Sequence, residues 1–190
     1  MIEIVFHGRG GQGAVTASQI LAMAAFREGK YSQAFPSFGP DRRGAPVTAY
    51  ARVDEKAIVD RSPVVRADYV IVLDPNLFRM SNPLSSLKES GCAILNSEKP
   101  PEAILKEIDR EKTRVFSIDA STISDQVYGK LSIPITNIAM LAAFASVSRI
   151  IHLDSVHETL GHFFSGEGLE KAKKSAHMAF EKMEGIKTDE

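Results

Sequence analysis

Short apolar runs alternate with helix-spaced segments along most of this chain. The runs Ile2–Phe6, Tyr31–Phe35, Val47–Val53, Tyr69–Leu73, Ala93–Leu95 and Arg114–Ile118 read as strands. Helical spacing of apolar positions predicts helices over Gly13–Glu28, Leu77–Glu89 with a break near Pro83, Glu102–Glu111 and Ala120–Leu131. Three more are expected over Asn137–Ser148, Ser155–Phe164 and Gly168–Glu184. Tyr69-Val70-Ile71-Val72-Leu73 is apolar without alternation, so both its faces should be covered and its place is central. The expected fold class is α/β: a single Rossmann-like domain over residues 1–190, with a mostly parallel open sheet and helices on both faces. Residues 185–190 are polar and expected to form a flexible tail.

The last third has a different texture. Asn137 to Ser148 is apolar almost all round, which implies burial on every side and leaves room for a partner subunit. Leu169, Ala172, Ala176, Phe180 and Met183 form one stripe on the final helix, the pattern of a helix closing over a core.

Composition narrows the function. A net charge of −1 disfavours a general nucleic-acid binder. No run approaches the roughly 20 apolar residues a bilayer span needs, and Ile2–Phe6 leads straight into glycines rather than into a signal sequence. With a single cysteine, Cys92, no internal disulfide, cysteine-ligated cluster or Cys-rich zinc site can form, and a cytoplasmic location is expected. Cys92 opens an apolar run and reads as an inert buried thiol. His152, His157, His162 and His177 lack metalloprotease spacing and read as surface or satisfied histidines.

The chemistry-bearing segment is Gly8-Arg9-Gly10-Gly11-Gln12-Gly13. Gly8, Gly10 and Gly13 fit G-x-G-x-x-G between a strand and a helix, where free N–H groups and the helix dipole favour a phosphate. Arg9 and Gln12 add side-chain donors, and Thr16 and Ser18 stand in the first helical turns. The bland alternative is a glycine turn serving only tight packing. A nicotinamide or flavin site would also need an acid after the second strand, where Phe35-Pro36-Ser37 offers none. Glu28 lies before that strand, so an ordinary dinucleotide dehydrogenase is disfavoured.

A second unusual segment follows, Pro36-Ser37-Phe38-Gly39-Pro40-Asp41-Arg42-Arg43-Gly44-Ala45-Pro46. In an α/β sheet it should emerge on the same carboxyl edge as the glycine turn. Arg42 and Arg43 then suit a ligand with more than one phosphate, such as the 3′-phospho-ADP part of coenzyme A. Alternatively they are solvated, or pair with Asp41 and a neighbouring chain. Asp74-Pro75-Asn76 either lines the ligand crevice or caps the next helix.

The segments His7–Gly13 and Ala34–Val47 together resemble the gamma subunits of 2-oxoacid:ferredoxin oxidoreductases, most closely the pyruvate type. Arg61-Ser62-Pro63, Ala67–Pro75 and Ile133–Leu141 extend the resemblance over nearly the whole chain. Gamma subunits of 2-oxoglutarate enzymes usually carry Tyr-Gly-Pro-Glu-Met-Arg-Gly-Gly at the second segment. Phe38, Arg42, Ala45 and Pro46 therefore point to pyruvate or a branched-chain oxoacid.

The resemblance implies a subunit that is inactive alone and works with alpha, beta and delta subunits. Thiamine diphosphate and iron–sulfur clusters would sit on those partners, and ferredoxin would be reduced through the complex. Pyruvate would be converted to acetyl-CoA and carbon dioxide. This chain would help bind coenzyme A and cover the active site, through Gly8, Arg9, Gly10, Gly11, Gln12, Gly13, Ser37, Arg42, Arg43 and Gly44. No catalytic residue and no metal ligand are expected in it. Competing readings are a free-standing nucleotide- or flavin-binding protein, the gamma subunit of a 2-oxoisovalerate or 2-oxoglutarate enzyme, and an assembly scaffold with an empty turn.

Overall fold

The computed structural model describes residues 1–37, 45–108, 110 and 112–188. Its centre is a six-stranded sheet made of β1 (Ile2–Arg9), β2 (Tyr31–Ser37), β3 (Pro46–Asp54), β4 (Ala67–Val72), β5 (Leu87–Asn96) and β6 (Arg114–Ile118). The spatial order is β2-β3-β1-β4-β5-β6. Parallel pairs join β1 to β4, β4 to β5 and β5 to β6, whereas β3 runs antiparallel to both β1 and β2. Five strands therefore share one direction. The α-helices among the described residues are α1 (Ala14–Arg27), α2 (Pro101–Ile108), α3 (Ala120–Tyr128), α4 (Asn137–Ser148), α5 (Leu153–Leu160) and α6 (Gly166–Thr188).

The two faces are covered unequally. Ile4, Phe6, Ile71 and Ile94 point to the face under α1, α3, α4, α5 and α6, where the larger core lies. Val5, Val70, Val72 and Leu95 point the other way, to a smaller core closed by Ile104 of α2 and by Leu77 and Leu84. β4 is central, as its unbroken apolar run requires. α4 is buried from Asn137 through Ser146, and α6 lays Ala172, Ala176, Ala179 and Met183 on the core. α4 is thus covered within the chain itself.

The expected helix Leu77–Glu89 is absent. A single 3-10 turn, Pro75–Arg79, stands at its start, and β5 begins at Leu87. Pro83 cannot donate to a helical ladder, and the Asn82 side chain accepts from Leu84 N–H at 3.2 Å, closing a turn instead. Lys88 then reaches Asp68 across the β4–β5 register shift at 2.6 Å. At the other end, the chain stays helical past Gly185 to Thr188. Glu184, one residue earlier, accepts from Ser146 Oγ at 2.6 Å and from Arg149 at 2.7 Å, which ties the last turns to α4. The Cys92 thiol is buried, and that burial pushes its pKa up to about 11, so it is an inert core group. No described helix is long and apolar enough to cross a membrane.

Two outcomes follow from this packing. Phe144, 0% exposed in α4, should lose about 3–5 kcal/mol of stability on Phe144→Ala, whereas the same change at Phe26, 73% exposed, should stay within about 0.5 kcal/mol; urea denaturation separates them. His7, on β1, has its pKa lowered by burial to about 4, an effect the backbone of Pro83 opposes in part. Its unfolded form gains a proton near pH 6.5 and its folded form only near 4. Stability should therefore be complete above pH 6.5 and fall through that window as pH drops, by about 3 kcal/mol. The urea midpoint of His7→Gln measured against pH should lack that slope.

Candidate functional site

The carboxyl ends of β1, β2, β4, β5 and β6 meet at one sheet edge. The chain leaves β1 toward β2 and β3 on one side and resumes at β4 on the other. The crevice between β1 and β4 is therefore where the connections diverge, the place where open α/β sheets receive ligands. Gly8 to Gly13 lies there.

This turn needs its glycines. Gly11 and Gly13 have φ of 97° and 77°, a region costly to side chains. A Cβ on Gly13 would collide with the side-chain amide of Asn137, the first residue of α4. Gly8 packs against Ala14 and Leu73, so α1 starts close to the sheet. Among the described residues no side chain caps α1: Gly13 occupies the cap position and has none to offer. Among the same residues the first-turn N–H groups of α1 are left for another acceptor.

Beneath the turn lies a polar network. Gln12, 4% exposed, accepts from Arg9 N–H at 2.7 Å and donates through Nε2 to Asp74 Oδ2 at 3.0 Å. Arg9 Nε stands 3.1 Å from the same oxygen. Asp74 Oδ1 accepts from the backbone and side-chain N–H of Asn76, at 2.9 and 3.0 Å, and so starts the 3-10 turn. Asp74 thus both caps its own turn and anchors the glycine turn. The Gln12 amide faces inward to the sheet, and the Arg9 charge is already paired.

Ser37 is the last residue of β2 and pairs with Thr48 of β3. Ala45, where the description resumes, accepts from Gly10 N–H at 3.0 Å. Both ends of the arginine segment therefore sit on the edge that carries the glycine turn, Ala45 against the turn itself and Ser37 two strands away. Arg42, Arg43 and Gly44 themselves lie outside the described residues. Ser18 is buried and donates to Val15 O at 2.8 Å, a local backbone bond.

The sequence reading did not single out Asn96, Thr136 or Asn137 as site residues. Asn96, at the end of β5, donates to Leu73 O at 2.8 Å and accepts from Ala120 N–H at 3.0 Å, joining β4 to the start of α3. Thr136 also reaches Leu73 O, at 3.4 Å, and Asn137 reaches Gly13 O at the same distance. Their only signal was a polar residue bordering an apolar run. Arg9, Gln12, Asp74, Asn76, Asn96 and Thr136 help line a cleft of about 160 Å³.

Gln12→Glu should put a second carboxyl group against Asp74. Its folded pKa would rise above the unfolded value near 4.3, so stability should match the parent below pH 4 and be lost as pH rises, by about 1–3 kcal/mol at pH 8. Urea midpoints at both pH values check the sign.

Comparison with known proteins agrees with this geometry. Residues 3–182 match the family pyruvate ferredoxin/flavodoxin oxidoreductase. The gamma subunit common to the pyruvate and ketoisovalerate oxidoreductases of Pyrococcus abyssi is 50% identical over 182 residues, covering 96% of this chain and 97% of that one. The crystal structure of pyruvate oxidoreductase subunit PORC from Thermotoga maritima superimposes with a TM-score of 0.80 at 33% identity, over 95% of each chain. The fold also recurs within 2-oxoglutarate:ferredoxin oxidoreductase from Magnetococcus marinus, at a TM-score of 0.75 and 17% identity, covering all of this chain and 31% of that one. With its turn, sheet and nearly full-length relatives in agreement, this chain belongs to the pyruvate ferredoxin/flavodoxin oxidoreductase family, as a gamma subunit of a 2-oxoacid:ferredoxin oxidoreductase.

Proposed function

We propose that this subunit holds coenzyme A for a pyruvate-type enzyme and covers the site where the thioester forms. The overall reaction is oxidative decarboxylation: pyruvate and coenzyme A give acetyl-CoA, carbon dioxide and a proton, and two electrons pass to ferredoxin. Alpha, beta and delta subunits would supply the thiamine diphosphate and the iron–sulfur clusters, in the cytoplasm. The task left to this chain is positioning and water exclusion.

The observation that carries this reading is the uncapped start of α1 behind Gly11 and Gly13, at the crevice between β1 and β4. It offers N–H groups and a helix dipole to an anion. The Pyrococcus abyssi relative serves two oxoacid enzymes with one gamma chain. A chain shared by two such reactions suits what they have in common, the thiol acceptor, better than the oxoacid that differs. The structure of the Magnetococcus marinus enzyme, which shares the fold, has 2-oxoglutarate, coenzyme A and succinyl-CoA bound.

Charge then assigns the arginines. Asp74 already neutralises Arg9, so further cations must face the phosphates. Arg42 and Arg43, tethered between Ser37 and Ala45, are the candidates. The double variant Arg42→Ala/Arg43→Ala should raise the KM for coenzyme A and leave carbon dioxide release in the decarboxylation half-reaction intact. Each lost charge-assisted contact costs about 1.5–3 kcal/mol, roughly ten- to hundredfold in KM. Steady-state kinetics of the assembled enzyme test it, and an unchanged coenzyme A dependence would remove this chain from the acceptor site.

A further inference from the structure

The two outer strands of the sheet are finished differently. β6, at one edge, has Val115, Ser117 and Ile118 buried and opens on a charged residue, Arg114. β2, at the other, has no buried residue along its length. An open strand edge invites pairing with another chain, and folded proteins blunt it with charges, bulges or proline. Tyr31-Ser32-Gln33-Ala34-Phe35-Pro36-Ser37 has no charged side chain, and its register with β3 runs unbroken from Tyr31–Asp54 to Ser37–Thr48. The one proline, Pro36, stands near the far end and leaves the N–H groups of Tyr31 to Phe35 in place. In an antiparallel pair alternate residues turn their N–H and C=O groups outward. Among the described residues, the outward groups of β2 have no backbone partner.

The flanks of this edge are apolar. The Ser32 hydroxyl donates to Ala22 O at 2.6 Å, which seats α1 over β2. Phe26 lies one turn beyond Ala22 on the same side of α1 and keeps 73% of its surface exposed. Tyr31, the first residue of β2, is 51% exposed. Aromatic rings left open beside an unpaired strand have the composition of an interface that the isolated chain leaves uncovered.

The arrangement also selects the occupant. A row of strand donors and acceptors is satisfied by an extended segment. A second copy of this chain fits badly. Two β2 strands related by a two-fold axis across the sheet run antiparallel, so Phe26 and Tyr31 of one copy would meet the Ser37 end of the other. That end leads in sequence into Asp41, Arg42 and Arg43, and apolar rings would be turned toward a charged segment. An unlike strand carries no such conflict. We propose that the outer edge of β2 takes an uncharged extended segment of a partner subunit, which becomes a seventh strand of the sheet and sets a large apolar side chain against Phe26 and Tyr31. The inference needs only that this chain is a subunit and does not depend on coenzyme A binding.

The test is hydrogen exchange read amide by amide, in the isolated chain and in the assembled oxidoreductase. On assembly, alternate amides from Tyr31 to Phe35 should slow by about a hundredfold relative to those of β3, which is paired on both sides already. Alternation is the mark of an added strand, because a surface merely lying over β2 would not bond every second amide. The variant Phe26→Lys/Tyr31→Lys should keep a urea midpoint close to the parent's, both sites being exposed, and enter the complex with about tenfold weaker affinity or worse. Unchanged β2 exchange on assembly, slowing without alternation, or incorporation of the variant at parental affinity would each overturn the proposal. So would a two-chain mass for the isolated subunit together with slowed β2 amides, which would make the occupant a second copy. None of these results touches the coenzyme A reading, whose own test is the KM of the Arg42→Ala/Arg43→Ala variant.

Discussion

The carboxyl edge of the sheet hangs on one buried carboxylate. Asp74 lies two residues past β4, and its two oxygens divide the labour: Oδ1 shapes the 3-10 turn through Asn76, and Oδ2 holds Gln12 and Arg9 of the glycine turn. At 6% exposed, it sits where an unpaired charge would be costly, and three hydrogen-bond donors and the Arg9 charge, from two segments, satisfy it. The glycine turn is therefore set by a neighbouring strand, 62 residues away in sequence. The cleft at the glycine turn depends on the arrangement, since Arg9, Gln12, Asp74 and Asn76 all line it.

Most of the fold was legible because its period signals were strong. The unbroken apolar run at Tyr69–Leu73 gave a central strand, and the all-round apolar Asn137–Ser148 gave a buried helix. The arginine segment was expected on the edge of the glycine turn, and its two ends are there. The route differs from a simple parallel neighbour, however: β3 inserts between β1 and β2, and two reversals of direction restore the same edge. Leu77–Glu89 misled because its apolar spacing is helical while Pro83 and the Asn82 side chain favour a turn. Period alone cannot weigh a local side-chain bond against a helix.

The site was legible in place and less so in detail. Strand, glycines and helix named the turn correctly, but nothing local shows that the Gln12 amide points at Asp74 rather than outward. Contacts of such sequence separation leave no mark on composition or spacing. Asn96 and Asn137 were missed for the same reason, each being one polar residue at the border of an apolar run. Asp74 showed the opposite case. The strand-ending cap and the crevice-lining group were weighed as alternatives, and one carboxylate with two oxygens is both.

The charge balance at this edge also bears on why the chain would work as a subunit. Coenzyme A carries several negative charges, and a receptor for it needs cations not already paired. At the glycine turn, Arg9 is already paired with Asp74. The first-turn N–H groups of α1 and the guanidinium groups of an exposed edge make a weak receptor in open water, where exposed charges are screened. The same groups gain strength when a second surface closes over them and excludes solvent, because each Coulombic and hydrogen-bonded contact then acts in a lower dielectric. A coenzyme A site built this way would mature on assembly, and the isolated chain would bind the molecule poorly while the complex bound it well. Such coupling would also keep the thiol from engaging before the partner subunits are in place.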